Sequence, residues 1–138
     1  IIEDLSSLGL KNNLKLFNHL SRKETLERMQ RSQVLLLILN NMPNVNGRLP
    51  GKLFEYLASR RPVLVIGPEE SDASKIVIGS NAGSACGFDD LEKTISTVKD
   101  LYSKFKSGKL LSSETDISQY SNRNLTKKLA GFLDQIVK

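Results

Sequence analysis

Short runs of apolar residues alternate along this chain with longer segments in which apolar residues recur at helical spacing. The clearest run, residues 34–39, consists of six consecutive apolar residues. Such a run is typical of a strand that is covered on both faces, as in a parallel sheet. Strands that alternate with helices favour a doubly wound α/β fold, in which ligands bind beyond the carboxyl ends of the strands. The sequence therefore predicts an α/β domain with a doubly wound parallel sheet.

The same patterns predict the other elements. Residues 63–66 and 82–86 are predicted as short strands, and so are residues 14–17. A Ser-x-x-Glu capping box at residues 21–24 predicts the start of a helix whose Leu26 and Met29 face inward. Helices are predicted for the opening residues, for residues 22–31, 51–60, 72–78 and 123–137, and for a segment that has Asp89 as its N-cap. The segment after Asp89 carries on one face Leu91, Ile95, Val98, Tyr102 and Phe105. Residues 123–137 carry on one face Leu125, Leu129, Phe132, Leu133 and Ile136.

The length of the chain, 138 residues, suits one domain. We divide it into a core of residues 1–107, a polar connection of residues 108–121 and a carboxy-terminal helix of residues 122–138. The sequence opens without a methionine, in a stretch that already has a helical pattern. We therefore expect it to be part of a longer protein.

The chain contains one cysteine, Cys86, and one histidine, His19. A disulfide framework and a His/Cys zinc cluster within the chain are thereby excluded, and Cys86 is interpreted as a packing residue. The longest apolar run is six residues, whereas a bilayer crossing needs about 20. We expect a cytoplasmic location, or a peripheral position on the cytoplasmic face of a membrane.

The formal net charge of +5 would suit an anionic ligand or an anionic membrane surface. The basic residues are nevertheless scattered, and only 6% of the positions are aromatic. A nucleic-acid platform would need clustered basic residues and exposed rings. We therefore expect no nucleic acid as a partner.

The loop at residues 40–50 lies between the strongest predicted strand and the next predicted helix. Its backbone N–H groups and the N-terminus of that helix could hold a diphosphate. Gly47 and Gly51 would let a ligand approach the backbone closely, and Pro50 suits the start of a helix.

Glu55 lies one turn into this helix, on the same face as Gly51 and Lys52. A carboxylate there can accept two hydrogen bonds from a vicinal diol such as ribose, while Lys52 offers positive charge near a phosphate. The simpler interpretation is that Lys52 and Glu55 form an exposed ion pair on an ordinary amphipathic helix. The pattern alone leaves both readings open.

Residues 50–64, PGKLFEYLASRRPVL, resemble the donor-site signature of the large retaining glycosyltransferase family 4, in the form P-x-K-x-x-E-Y-L-A-x-x-x-P-V. Residues 16–21, 31–36 and 83–90 resemble the segments that flank this signature in the family, so the resemblance covers about residues 1–107. It implies the carboxy-terminal, Rossmann-like domain of a two-domain GT-B enzyme. The first strand of that domain and an amino-terminal domain would then lie outside this chain.

By this resemblance, Glu55 matches the second glutamate of the family's E-x7-E motif, which holds the ribose hydroxyls. The first glutamate would fall at Gly47 and is absent, so no carboxylate is assigned beside the transferred sugar, and no catalytic residue is assigned. His19 matches a turn close to the nucleotide base, although a lone histidine at a strand end is often a surface or packing residue. The predicted donor-binding residues are Pro50, Gly51, Lys52, Leu53, Glu55, Gly47, Arg48 and His19.

The activity that the resemblance implies is transfer of a hexosyl group, with retention, from a nucleotide-diphosphate sugar to an acceptor hydroxyl, without a metal ion or other cofactor. The acceptor, a glycan or a lipid-linked molecule, would bind mainly to the amino-terminal domain. We expect this chain alone to bind a nucleoside diphosphate weakly and not to turn over. The alternatives are an inverting GT-B enzyme, an epimerase, and a non-catalytic flavodoxin-like signalling or protein-binding domain. A receiver domain would need an aspartate where the chain has Leu39-Asn40-Asn41.

Overall fold

The computed structural model describes residues 2–110 and 117–137 of the chain. It is an α/β structure built on a three-stranded parallel sheet, in the order β1-β2-β3. The strands are β1 (Leu35–Ile38), β2 (Val63–Ile66) and β3 (Gly83–Cys86). The α-helices are α1 (Ile2–Ser7), α2 (Arg22–Arg31), α3 (Lys52–Ala58), α4 (Asp72–Gly79), α5 (Leu91–Lys106) and α6 (Asn122–Ile136), and 3₁₀ turns lie at Lys11–Asn13, Val45–Gly47 and Ser118–Tyr120.

The parallel register brings the carboxyl ends of the three strands to one edge of the sheet. Ile38 of β1 pairs with Ile66 of β2, which pairs with Cys86 of β3. The ladders extend one residue further, because the N–H of Leu39 donates to the carbonyl of Ile66 and that of Gly67 to the carbonyl of Cys86, each at 2.9 Å. A helix that joins parallel strands starts where one strand ends, so the N-termini of α3 and α4 lie at this edge. We call it the carboxyl edge.

One face of the sheet forms the core with α3 and α4. The side chains of Leu37 and Val65 on this face are fully buried, and they pack with Leu53 and Leu57 of α3 and Val77 of α4. Alternation along a strand sends every second side chain to this face, which explains why neighbouring positions differ in burial. The helices of this face therefore fix the position of the loop that follows β1.

The other face of β1 is open, so the prediction that residues 34–39 are covered on both faces is wrong. Leu36 is 49% exposed and Ile38 57% exposed, whereas Leu64 at the centre of the sheet is only 5% exposed. The reason is that α5, which follows β3, packs against that strand and lies beside Leu64, and leaves Leu36 and Ile38 uncovered. The apolar stripe of α5 also lies largely at the surface, since even its least exposed members, Ile95 and Phe105, are 44% exposed.

Two finer predictions also need correction. Residues 14–17 are irregular, because none of the described strands pairs with them and an isolated segment of four residues gains no ladder hydrogen bonds. The N-cap of α5 is Asp90, whose side chain accepts from the N–H of Lys93, and not Asp89. Leu26 and Met29 of α2 are half-buried, in agreement with the prediction that they face inward.

Within residues 2–110 and 117–137, no helix has the length and hydropathy that a bilayer crossing requires.

The capping box at the start of α2 is confirmed. Ser21 Oγ accepts from the N–H of Glu24 at 3.3 Å, and the Glu24 carboxylate accepts from the N–H of Ser21 at 2.9 Å. The hydrogen bonds from Ser21 hold the pKa of Glu24 below its usual value of 4.5.

Replacement of Ser21 by alanine is expected to lower the free energy of unfolding by about 1 kcal/mol, because it removes the acceptor for an N–H at the start of α2. Urea denaturation followed by circular dichroism measures the change. In the wild-type chain the hydrogen bonds of the Glu24 carboxylate stabilise the folded state at pH values above the unfolded pKa of Glu24. This stabilisation is lost as the pH falls through the lower folded pKa. The difference between wild type and variant should therefore shrink in acid, and a constant difference would contradict this account.

Candidate functional site

A cavity of about 210 Å³ lies at the carboxyl edge, where β1 ends and the loop at residues 40–50 turns back to α3. Its floor is the end of the strand, and its walls come from the loop and from the first residue of the helix. The lining residues are Ile38, Leu39, Asn40, Val45, Arg48, Pro50 and Lys52. Three of the residues predicted from the sequence, Arg48, Pro50 and Lys52, thus lie around one cavity.

Two cationic side chains line this cavity. Arg48 Nη1 lies 3.4 Å from the sulfur of Met42, a weak acceptor. Among the described residues, no carboxylate lies within 4.0 Å of the guanidinium of Arg48 or the ammonium of Lys52. Both charges are therefore free to attract an anionic ligand into the cavity.

The backbone at the start of α3 offers less than the sequence suggested. The helix has only seven residues, and its N-cap, Gly51, provides no side-chain hydrogen bond. The N–H of Leu53 donates to the carbonyl of Pro50 at 2.9 Å, and the Leu53 side chain is fully buried in the core. Leu53 is therefore a packing residue, and its amide is already used within the protein. Because a short helix has a weak dipole, the side chains of Arg48 and Lys52 must supply most of the attraction for an anion.

The two loop glycines leave open space above the backbone. A Cβ atom built on Gly47 or on Gly51 would meet no atom within 4 Å. Gly51 has a φ of −55°, a conformation that any residue adopts. Neither glycine is needed for the fold of the loop, so the space beside them is available to a ligand.

Glu55 pairs with a residue that the sequence analysis did not select. Its Oε1 lies 3.6 Å from Nη2 of Arg22, and the Glu55 side chain is 39% exposed. The alternative prediction, an ion pair between Lys52 and Glu55, is wrong, because the Glu55 carboxylate turns toward α2. Arg22 could have been found from the sequence, since it follows the cap of α2, and a helix that leads into a parallel strand begins at the carboxyl edge.

His19 lies exposed in the loop before α2, three residues before Arg22. The ion pair between Arg22 and Glu55 brings the start of α2 to the start of α3, so His19 belongs to the same end of the sheet. No contact with the cavity is recorded for His19 within the part of the chain that the structure describes. Its contact with a nucleotide base stays a prediction.

Charge divides the carboxyl edge into two halves. Arg22, Arg48 and Lys52 lie beside the end of β1. The loops after β2 and β3 and the first turns of α4 and α5 instead carry six acidic residues: Glu69, Glu70, Asp72, Asp89, Asp90 and Glu92. The Glu69 carboxylate accepts a hydrogen bond from Lys93 and raises the pKa of that lysine. An anionic ligand is therefore directed toward β1 and away from β2 and β3.

A larger cavity, about 460 Å³, lies beside α2 and is lined by Phe17, Glu24, Glu27, Arg28, Arg31 and Ser32. Its two glutamates balance its two arginines, and the guanidinium of Arg28 already stacks on the Phe17 ring at 3.8 Å. It therefore has no net charge with which to attract a phosphate. In residues 2–110 and 117–137, no three His, Cys, Asp or Glu side chains are grouped so that they could hold a metal ion.

Comparisons with protein-family models, with curated proteins and with solved structures find no match to this chain.

Proposed function

We propose that this chain binds the nucleoside-diphosphate part of a sugar donor, and that it is the donor-binding half of a retaining glycosyltransferase. The observation that carries the proposal is the cavity at the end of β1, lined by Arg48 and Lys52. Its position beyond the carboxyl end of a parallel strand is where doubly wound domains bind nucleotides. The resemblance of residues 50–64 to a donor-site signature supports the same ligand.

The diphosphate lies in the cavity in this proposal, with Arg48 and Lys52 against its oxygens. Charge-assisted hydrogen bonds from these side chains stabilise the negative charge that grows on the diphosphate as the sugar leaves. Gly47 and Gly51 leave room for the phosphates to approach the loop. The acceptor binds to a different domain, so the chain alone binds the nucleotide without completing transfer.

The ribose lies beside Glu55, whose carboxylate accepts hydrogen bonds from the two ribose hydroxyls. Arg22 already pairs with this carboxylate, and the Arg22 side chain is itself 83% exposed. An exposed ion pair of this kind is worth less than about 1 kcal/mol, so the ribose can displace Arg22 at small cost. Arg22 is then free to turn toward the phosphates.

The proposal is tested by titration of the isotope-labelled chain with UDP, GDP and ADP while the backbone amide signals are recorded. We expect shifts that cluster at residues 47–55 and that saturate at millimolar nucleotide or below. The loops after β2 and β3 should shift little because they are acidic. If none of the three nucleotides shifts the signals of residues 47–55, the proposal is wrong.

Replacement of Glu55 by alanine is expected to weaken UDP binding at least about tenfold, because two hydrogen bonds from the ribose to a charged acceptor are lost. Binding of inorganic pyrophosphate, which has no ribose, should not weaken and should become somewhat tighter, because the variant releases Arg22. Calorimetric titration with the two ligands separates these effects. Glu70→Ala is the matched control, since it removes an exposed carboxylate from the same edge of the sheet. Equal losses for UDP and pyrophosphate would assign Glu55 a structural role instead.

A further inference from the structure

The helix α6 carries an apolar face that the rest of the described chain does not cover. Its five large apolar residues fall within an arc of about 100° when a helix of 3.6 residues per turn is drawn. Their exposed fractions are 44% for Leu125, 58% for Leu129, 63% for Phe132, 52% for Leu133 and 78% for Ile136. An apolar face this exposed marks a surface that binds a partner.

Within the described residues, the main contacts of α6 with the body lie at its start. Ser121 caps the helix by accepting from the N–H of Asn124, and the Asn124 side chain donates to the carbonyl of Ser118 at 2.8 Å. The 3₁₀ turn at Ser118–Tyr120 in turn packs on α3 through rings of Tyr120 and Phe54 that lie 5.9 Å apart. The distal half of α6 has no comparable contact within the described residues. It therefore projects its apolar face away from the core.

The polar side of α6 is cationic. Arg123, Lys127 and Lys128 lie outside the apolar arc, and Asp134 is the one acidic residue between Asn122 and Ile136. Cations on the polar side and Leu, Phe and Ile on the other are the composition of a helix that lies in the interface of an anionic membrane. A helix bound in a protein groove leaves its polar side in water, so a groove would not account for the cations there, whereas anionic headgroups would.

We infer that α6 is a membrane-surface anchor, which lies in the plane of a bilayer that contains anionic lipid. With 15 residues the helix is about 22 Å long, too short to cross the roughly 30 Å hydrocarbon core. Its apolar face enters the region between headgroups and acyl chains, and its cations bind anionic headgroups. The inference does not depend on the nucleotide site, which lies at the carboxyl edge of the sheet.

The test is sedimentation of the whole chain with vesicles of phosphatidylcholine alone or with 30% phosphatidylserine, about the anionic fraction at which surface attraction is strong. We expect binding to the anionic vesicles and little to the neutral ones. Phe132→Glu should weaken that binding more than tenfold, because it places a charge on the apolar arc. Gln135→Glu, which adds the same charge outside the arc, should change it far less.

A second variant, Arg123→Gln/Lys127→Gln/Lys128→Gln, tests the electrostatic part. Each cation removed should weaken binding to anionic vesicles about fivefold, with the apolar arc intact. Circular dichroism should show that all the variants keep the fold, since the substituted side chains are exposed. Three results would overturn the inference: no binding of the wild-type chain to anionic vesicles, equal binding by Phe132→Glu and Gln135→Glu, or an apolar face that mediates self-association of the chain in place of lipid binding. Nucleotide titrations of the same variants should be unchanged in every case.

Discussion

Replacement of Gly83 by alanine is expected to prevent folding, or to reduce the free energy of unfolding by at least about 3 kcal/mol. Gly83 begins β3 and pairs in register with Val63 of the central strand. A Cβ atom at Gly83 would lie 1.8 Å from the carbonyl oxygen of Val63 and 2.7 Å from its carbonyl carbon. Both atoms belong to the backbone of a buried strand, so they cannot move aside without breaking the ladder between β2 and β3. A domain of this size is stable by only about 5–15 kcal/mol, so such a loss is severe.

The matched control is Gly79→Ala at the end of α4, where an added Cβ would meet nothing within 4 Å. That variant should be as stable as the wild type or slightly more so, since alanine favours a helix. A third variant, Gly67→Ala, should fall between the two, because its Cβ would meet the flexible side chain of Leu39 at 2.7 Å. Thermal unfolding followed by circular dichroism orders the three proteins. A Gly83→Ala chain as stable as Gly79→Ala would mean that β3 does not pair with β2 in this register.

Local patterns in the sequence predicted the elements well where the cause of the structure is itself local. The bounds of α2 match the prediction because Ser21 and Glu24 satisfy N–H groups within one turn. The strands β1 and β2 were predicted from apolar runs that need no knowledge of their neighbours, and β3 from a weaker, glycine-rich segment. Residues 14–17 have a similar pattern but are irregular, because a strand also needs a partner, and no local pattern reports one.

The prediction that both faces of β1 are covered failed for the same reason. The residues of β1 are as apolar as those of a strand buried on both sides, yet Leu36 and Ile38 are half exposed. An apolar run shows what a strand can bury, while the path of the chain decides which helix lies above it. The 3₁₀ turn at Ser118–Tyr120, within a segment predicted as a polar connection, packs on α3 through Tyr120 and is a second case of this kind.

The candidate site was predicted in its location but not in its contacts. Arg48, Pro50 and Lys52 line one cavity because the loop closes over the end of β1. The ion pair of Glu55 with Arg22 joins residues 33 positions apart in the sequence, so spacing on one helix could not reveal it. The N–H of Leu53 donates to Pro50 within the turn, which the sequence did not reveal, and contact of this residue with a ligand stays a prediction.

Replacement of both cavity cations, Arg48→Gln/Lys52→Gln, is expected to weaken the binding of UDP and of pyrophosphate about a hundredfold. Each charged hydrogen bond to a phosphate oxygen contributes about 1.5–3 kcal/mol, and the lower value applies because the cavity is open to water. Both ligands should lose affinity equally, since they share the diphosphate, which is the opposite of the pattern expected for Glu55→Ala. Calorimetric titration measures both affinities.

The control for this variant is Lys99→Gln/Lys104→Gln, which removes the same number of charges from α5, outside the cavity. If only the net charge of the chain attracted the nucleotide, the control and the cavity variant would lose equal affinity. Affinity of the wild-type chain should also fall as salt is added, and the cavity variant should be less sensitive to salt. Wild-type affinity in Arg48→Gln/Lys52→Gln would assign the phosphates to the backbone at the start of α3. The seven residues of that helix and the occupied N–H of Leu53 argue against this outcome.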